Sequence, residues 1–153
     1  PDRPLLRRLE EYGITLKELI STAMKLYVPH PNFSKSEAEK IFERHLLEVL
    51  SDINVASLVM AAMRLDDDGR RGLIPGMDSQ KFNSDPVDLV ADEILGISIA
   101  MYIAGYNGLF EFYRFDREKK GILSKLPPFL DDAIGGLLAG ISSRMYSEML
   151  KRG

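Results

Sequence analysis

A chain of 153 residues is long enough for one domain with a sizeable core, and 45% hydrophobic with 28% charged residues argues against disorder. A net charge of −3 gives no support to a nucleic-acid surface, and the absence of cysteine excludes a disulfide framework or a Cys-ligated metal. That composition fits a cytoplasmic protein. Polar residues break every apolar stretch before it could cross a bilayer as a simple helix. The opening PDRPLLRRLEEYG lacks the apolar core of a signal peptide. It also lacks an initiator methionine, as a processed, trimmed or fusion-derived chain would.

Thr15-Leu16-Lys17-Glu18 has capping-box form and opens a predicted helix to about Tyr27, which Val28-Pro29-His30-Pro31 stops. Ser34-Lys35-Ser36-Glu37 is a second capping box, and the apolar positions 38, 41, 42, 46, 49 and 50 then fall on one helical face. A third helix is predicted over residues 54–65, where VASLVMAAM suits a buried helix better than a strand. DDDGRRG reads as its exit, followed by an irregular excursion over 66–84. Asp85-Pro86-Val87-Asp88 supplies a cap, a first-turn proline and an acid for a helix running to about Ala104, where GYNG should end it. LFEFYRF reads equally as a short strand or an aromatic helical turn, and DREKKG as a turn. Pro127-Pro128 leads into a last helix over roughly 128–149. The expectation is a single all-α, multi-helix domain over 1–153.

Two acidic pairs carry the chemical interest: Asp92-Glu93 in ADEILG and Asp131-Asp132 in LDDAIGG. Adjacent helical residues diverge by about 100°, so one carboxylate of each pair can face a neighbouring helix while the other faces a flank. Asp132, Gly136, Ala139 and Ser143 form a stripe of small residues, with Asp131, Gly135 and Ser142 beside it. Such a stripe lets a helix or ligand approach the backbone closely. Asp88 and Asp92 are expected to share a face, four residues apart. Converging buried carboxylates need a cation, and an all-oxygen donor set favours Mg²⁺ or Mn²⁺. Two readings stay open from the residues alone: a two-helix carboxylate site, or separately solvated acids that stabilise the first turns of their helices.

Weaker features sit around these pairs. Asp66-Asp67-Asp68-Gly69 begins like a calcium loop but lacks the terminal glutamate, so a solvated turn is the simpler reading. Glu48 and Asp52 read as an exposed amphipathic face or as contributors to an acidic centre. His30 and His45 lack the spacing of a zinc site. Arg114, Arg117, Lys119, Lys120 and Lys125 make the segment between the acidic helices locally basic, able to attract a phosphorylated substrate. Arg114 and Lys125 rank first as substrate-binding residues because each interrupts a less polar segment.

Taken together, ADEILG, YIAGYNG, KGIL and LDDAIGG resemble the phosphatidylglycerophosphatase A family, most strongly over residues 88–145. The likeness is to its soluble branch, and within that to the α-ribazole-5′-phosphate phosphatases of archaeal cobalamin biosynthesis. It implies an all-helical, Mg²⁺-dependent phosphomonoester hydrolase, with acidic-site roles for Asp92, Glu93, Asp131 and Asp132. Glu48, as a further metal ligand, and Asp66 follow from a weaker N-terminal likeness. The chain departs from the membrane-bound members in lacking clear hydrophobic spans and their glycine/threonine-rich early segment. The resemblance therefore favours a small phosphorylated substrate, with phosphatidylglycerophosphate as the alternative. A helical binding module, with the Gly/Ala face joining copies of the chain, is the non-enzymatic reading.

Overall fold

The computed structural model describes residues 3–153, and among them it is built from helices alone, with a single isolated bridge between Ile74 and Met77. In chain order these are α1 (Leu5–Glu11), α2 (Leu16–Lys25), α3 (Lys35–Leu50), α4 (Ile53–Arg70), α5 (Ser79–Asn83), α6 (Ala91–Glu118) and α7 (Pro128–Arg152). A short 3-10 turn, Gly121–Lys125, joins the last two. The N-cap half of each capping box forms. Thr15 Oγ1 accepts from the Glu18 amide at 3.2 Å and Ser34 Oγ from the Glu37 amide at 3.1 Å.

Helix α7 is the axis of the molecule. From Phe129 to Ser143 every residue except Asp131 is buried, as expected of a helix that is apolar all round. Helices α3, α4 and α6 pack on it, and Leu137, Leu138 and Ile134 are fully enclosed. Each such side chain contributes roughly 1.5–3 kcal/mol of transfer free energy.

Helix α6 is long only in sequence. Gly105 takes φ 62° and ψ −146°, a conformation that side chains resist, and the chain reverses there. A Cβ on Gly108 would lie 2.2 Å from the Ala100 carbonyl oxygen, and one on Gly96 would lie 2.8 Å from the Phe112 ring. In a straight helix residues 96 and 112 would be about 24 Å apart. The limbs 91–104 and 106–118 therefore lie antiparallel, with 100 facing 108 and 96 facing 112. This fold-back also bears on membranes. Among the described residues α6 is the one single helix whose length and mean hydropathy of 1.2 would suit a span, yet each limb falls well short of a hydrocarbon core about 30 Å thick.

Several boundaries differ from expectation. The acidic run 66–68 continues α4 through Arg70, because Asp66 has a buried partner that holds it in the helix. Gly105 breaks the helix as the GYNG signal suggested, but the helix resumes at once and takes LFEFYRF with it. Residues 85–90 are not helical: Asp85 adopts φ 51°, and α6 begins only at Ala91. Asp88 therefore does not share a helical face with Asp92; it is exposed and pairs with Lys81 at 2.8 Å. α1 and the single-turn α5 carried no signal strong enough to be read.

Candidate functional site

The limb register places the ends of α6 together. Four residues beyond the 96/112 pair, on either side, stand Asp92 and Asp116. Both carboxyls lie near Asp132 on α7, close enough that each raises its pKa. α7 can come this close because its small residues face α6. A Cβ on Gly136 would lie 2.1 Å from the Gly96 carbonyl oxygen, and one on Gly96 would lie 2.5 Å from that of Asp132. A Cβ on Gly140 would collide with Ile103 at 2.7 Å. A Cβ on Gly135 would meet the Phe112 ring at an ordinary 3.6 Å.

Asp132 is only 3% exposed, and its Oδ1 has no hydrogen-bond partner among the described residues. Burial, followed by the neighbouring carboxyls of Asp116 and Asp92, pushes its pKa well above the usual carboxylate range. One ligand oxygen from each of Asp116, Asp131 and Asp132 can be chosen within 4.8 Å of one another. A buried oxygen with no donor, in a group of three or four carboxylates, is a donor set for a hard cation. It fits Mg²⁺ or Mn²⁺ and offers nothing to a soft metal.

Asp131 faces the opposite flank. Its carboxylate pairs with Lys119, which also contacts Asp116 at 3.2 Å. Burial pushes Asp131 up to about 6 against the opposing pull of Lys119. For Lys119, burial works to lower the pKa, but the hydrogen bond and charge of Asp131, then Asp116, outweigh it and the net shift is upward. Lys119 sits at φ 43°, closing α6 in a left-handed cap that turns its ammonium toward the two acids.

The start of α7 is fixed from outside. Pro127 offers no side-chain cap, and the cap comes instead from Asp66 of α4. This fully buried carboxylate accepts from the Phe129 amide at 2.9 Å and the Leu130 amide at 2.8 Å, one oxygen each. Burial raises Asp66 to about 6, while the two amides pull the other way. Asp66 thus holds the turn that presents Asp131 and Asp132, and both its oxygens are committed to backbone.

Of the sequence candidates, Asp92, Asp131 and Asp132 come together. Glu93 is exposed; its amide donates to Asp92 Oδ1 at 2.9 Å, and its carboxylate lies outside the cluster. Glu48 is exposed on α3 and is likewise outside it. Arg114 instead donates to the Leu26 carbonyl at 2.5 Å and pairs with Glu111 at 3.3 Å, tying α6 to the end of α2. Lys125 is exposed beside Glu18 and Thr22. Asp116 carries no sequence signal of its own while DREKKG reads as a turn, and Lys119 stands there only as one of five cations of the basic segment. Their three-residue spacing puts them on one face only if the aromatic helix is known to continue through them.

A cavity of about 290 Å³ opens next to Asp131, lined also by Arg70, Asn83, Asp85, Leu126 and Pro127.

A family model described as Phosphatidylglycerophosphatase A matches residues 36–147. An uncharacterized protein of Methanocaldococcus jannaschii is 37% identical over 131 residues, covering 83% of this chain and 99% of its own. Among solved structures, the low temperature requirement C protein of Listeria monocytogenes shares the fold with a TM-score of 0.82 at 24% identity, over 95% of this chain and 94% of its own. The ypjQ protein of Bacillus subtilis does so with a TM-score of 0.80 at 24% identity, over 97% and 94%. A Bacillus stearothermophilus protein is 27% identical with a TM-score of 0.75, over 94% of this chain and 92% of its own.

Proposed function

The chain belongs to the phosphatidylglycerophosphatase A family, and we propose that it is a Mg²⁺-dependent phosphomonoester hydrolase whose centre is Asp92, Asp116, Asp131 and Asp132. The observation that carries this reading is the unpartnered Oδ1 of buried Asp132, flanked by carboxyls from both limbs of α6. Bound Mg²⁺, with Mn²⁺ as a substitute, would neutralise phosphoryl charge and lower the pKa of a water. Asp132 and Asp116 would hold it, with Asp92 supporting Asp132.

In hydrolysis a water oxygen forms a bond to phosphorus and gives up a proton, the ester P–O bond breaks, and the leaving oxygen takes up a proton to depart as the alcohol. Asp131 lines the cavity and so is placed to carry that proton. Lys119 holds Asp131 in position and adds positive charge beside the phosphate. Arg70, which also lines the cavity, supplies a second cation.

As substrate we propose α-ribazole 5′-phosphate of cobalamin biosynthesis, handled in the cytoplasm; phosphatidylglycerophosphate is the alternative. The small polar cavity supports the first. The test is phosphate release from each substrate by wild-type protein and Asp132→Asn, with Mg²⁺ and with EDTA. Turnover that requires Mg²⁺ and falls at least 100-fold in the variant is expected; turnover indifferent to both would sink the proposal (magnitude as for loss of a central electrostatic group, ~10²–10³).

A further inference from the structure

The cavity beside Asp131 has a second wall that the acidic centre does not use. Asn83 closes α5, and Asp85 follows two residues later in the connection to α6. Asp85 holds φ 51°, a left-handed backbone conformation costly for a residue with a side chain. Strain of this kind persists where surrounding structure enforces it, and it gathers at ligand clamps. Here it sets a carboxylate on the cavity rim, close enough that its charge raises Asp131. Two acids facing one small space repel each other unless something lies between them.

The lining has a direction. Asp131 and Arg70 suit the phosphoryl end of a ligand, the one beside the acidic centre and the other as a fixed cation. Asn83 and Asp85 suit hydroxyl groups: a carboxylate accepts from them, and an amide both donates and accepts. Leu126, Pro127 and Pro128 give a short apolar wall of the kind that packs against a sugar or small ring. A volume of about 290 Å³ lies just under the range of drug-sized ligand pockets, ~300–1,000 Å³. It cannot enclose acyl chains of about 15 Å each, half the thickness of a bilayer's hydrocarbon core.

We propose that this cavity is the alcohol-side subsite of the reaction, built for a compact hydroxyl-bearing phosphomonoester, with Asn83 and Asp85 as the residues that determine specificity. The inference rests on the proposed phosphatase activity and adds to it which part of the substrate is read, and by which side chains. The same polyol phosphate chemistry occurs in free sugar phosphates and in a lipid headgroup, so the test includes both.

The experiment compares kcat/KM for ribose 5-phosphate, for p-nitrophenyl phosphate, which has no hydroxyl to recognise, and for phosphatidylglycerophosphate in vesicles. Wild-type protein, Asp85→Asn and Asn83→Ala are assayed with Mg²⁺. Asparagine tolerates the left-handed conformation, so Asp85→Asn keeps the backbone while removing the charge. Wild type should prefer ribose 5-phosphate, and each variant should cut the ratio of its kcat/KM to that of p-nitrophenyl phosphate by about tenfold, the scale of one lost polar contact. A ratio unchanged in both variants, with wild type turning over both soluble esters, would overturn the subsite and leave the phosphatase standing. Preference for the vesicle substrate, equally unaffected by the variants, would overturn it in favour of a lipid bound elsewhere. A wild-type protein inert on all three would overturn the subsite and leave the phosphatase reading to the α-ribazole 5′-phosphate assay described above.

Discussion

Gly136 lies so close to Gly96 that a Cβ added to it would stand 2.1 Å from the Gly96 carbonyl oxygen. Asp132 is one turn before Gly136 on α7, and Asp92 is one turn before Gly96 on α6. The backbone contact between two glycines therefore fixes the separation of the two carboxyls. Gly136→Ala should force the helices apart, with a stability loss of about 1–3 kcal/mol, typical of overpacking. Activity should fall further than that loss explains. Thermal unfolding and Mg²⁺-dependent turnover on the same preparation check this; a fully active, undisturbed variant would refute the packing argument.

Asp132→Asn should separate stability from function. Without metal, buried Asp132 keeps its proton, so a neutral amide of the same shape replaces a neutral acid and the metal-free variant should unfold at the same temperature as wild type or a higher one. In millimolar Mg²⁺ the order should reverse, because a ligand at 100 times its Kd adds about 2.7 kcal/mol only where it binds. Calorimetric scans with and without Mg²⁺ read both halves.

Stability should also depend on pH in a defined window. Asp66 and Asp131 stand at about 6 in the folded chain and near 3.8 when unfolded. The unfolded chain therefore releases these protons first as pH rises. Their stabilising contribution is complete below about pH 4 and is lost as pH climbs through 6. Metal-free protein should accordingly show a falling unfolding temperature between pH 4 and 7. Asp52, Asp88 and Glu148 are shifted downward and act oppositely, losing their contribution as pH falls below about 4. A flat profile between 4 and 7 would contradict the burial of the two acids.

Asp66→Ala should leave the Phe129 and Leu130 amides buried without acceptors, at about 1–3 kcal/mol for each such group. Asp66→Asn keeps one acceptor oxygen and should fall between it and wild type. Urea unfolding of the pair measures the difference. Equal stability of all three proteins would remove Asp66 from the support of α7.

Lys119→Ala should lower turnover by about 10²-fold or more, as loss of a charge beside a developing anion does. Lys125→Ala should leave turnover within about twofold, since this exposed side chain lies outside the acidic centre. Arg114→Ala should reduce stability, through loss of the Leu26 carbonyl contact, more than it reduces kcat. Steady-state kinetics with matched unfolding curves distinguish the three.

The helices with strong local signals were legible in the sequence: Thr15 and Ser34 announced their caps, and Pro127-Pro128 the start of α7. So were Asp92, Asp131 and Asp132 as acids on two helices. The fold-back was not, because Gly105 reads locally as a stop, and nothing local says that the helix resumes in the opposite direction. Without it, Asp116 is an acid in a charged segment and Lys119 one of several cations. Asp66 shows the same limit. A DDDG run looks like a turn until one knows that a proline-led helix, with no cap of its own, begins against it.

The reversal at Gly105 also constrains how such a chain can change. An added or deleted residue in one limb would turn everything beyond it by about 100° and shift it by about 1.5 Å. That would swing Asp92 or Asp116 away from Asp132 unless the other limb changed in step. Insertions and deletions are thus barred from the stretch 92–116, while the connection 84–90, which carries Asp85, is free to lengthen or shorten. Relatives that diverge in what they hydrolyse should differ in length there, and keep the count of residues between the two limb acids.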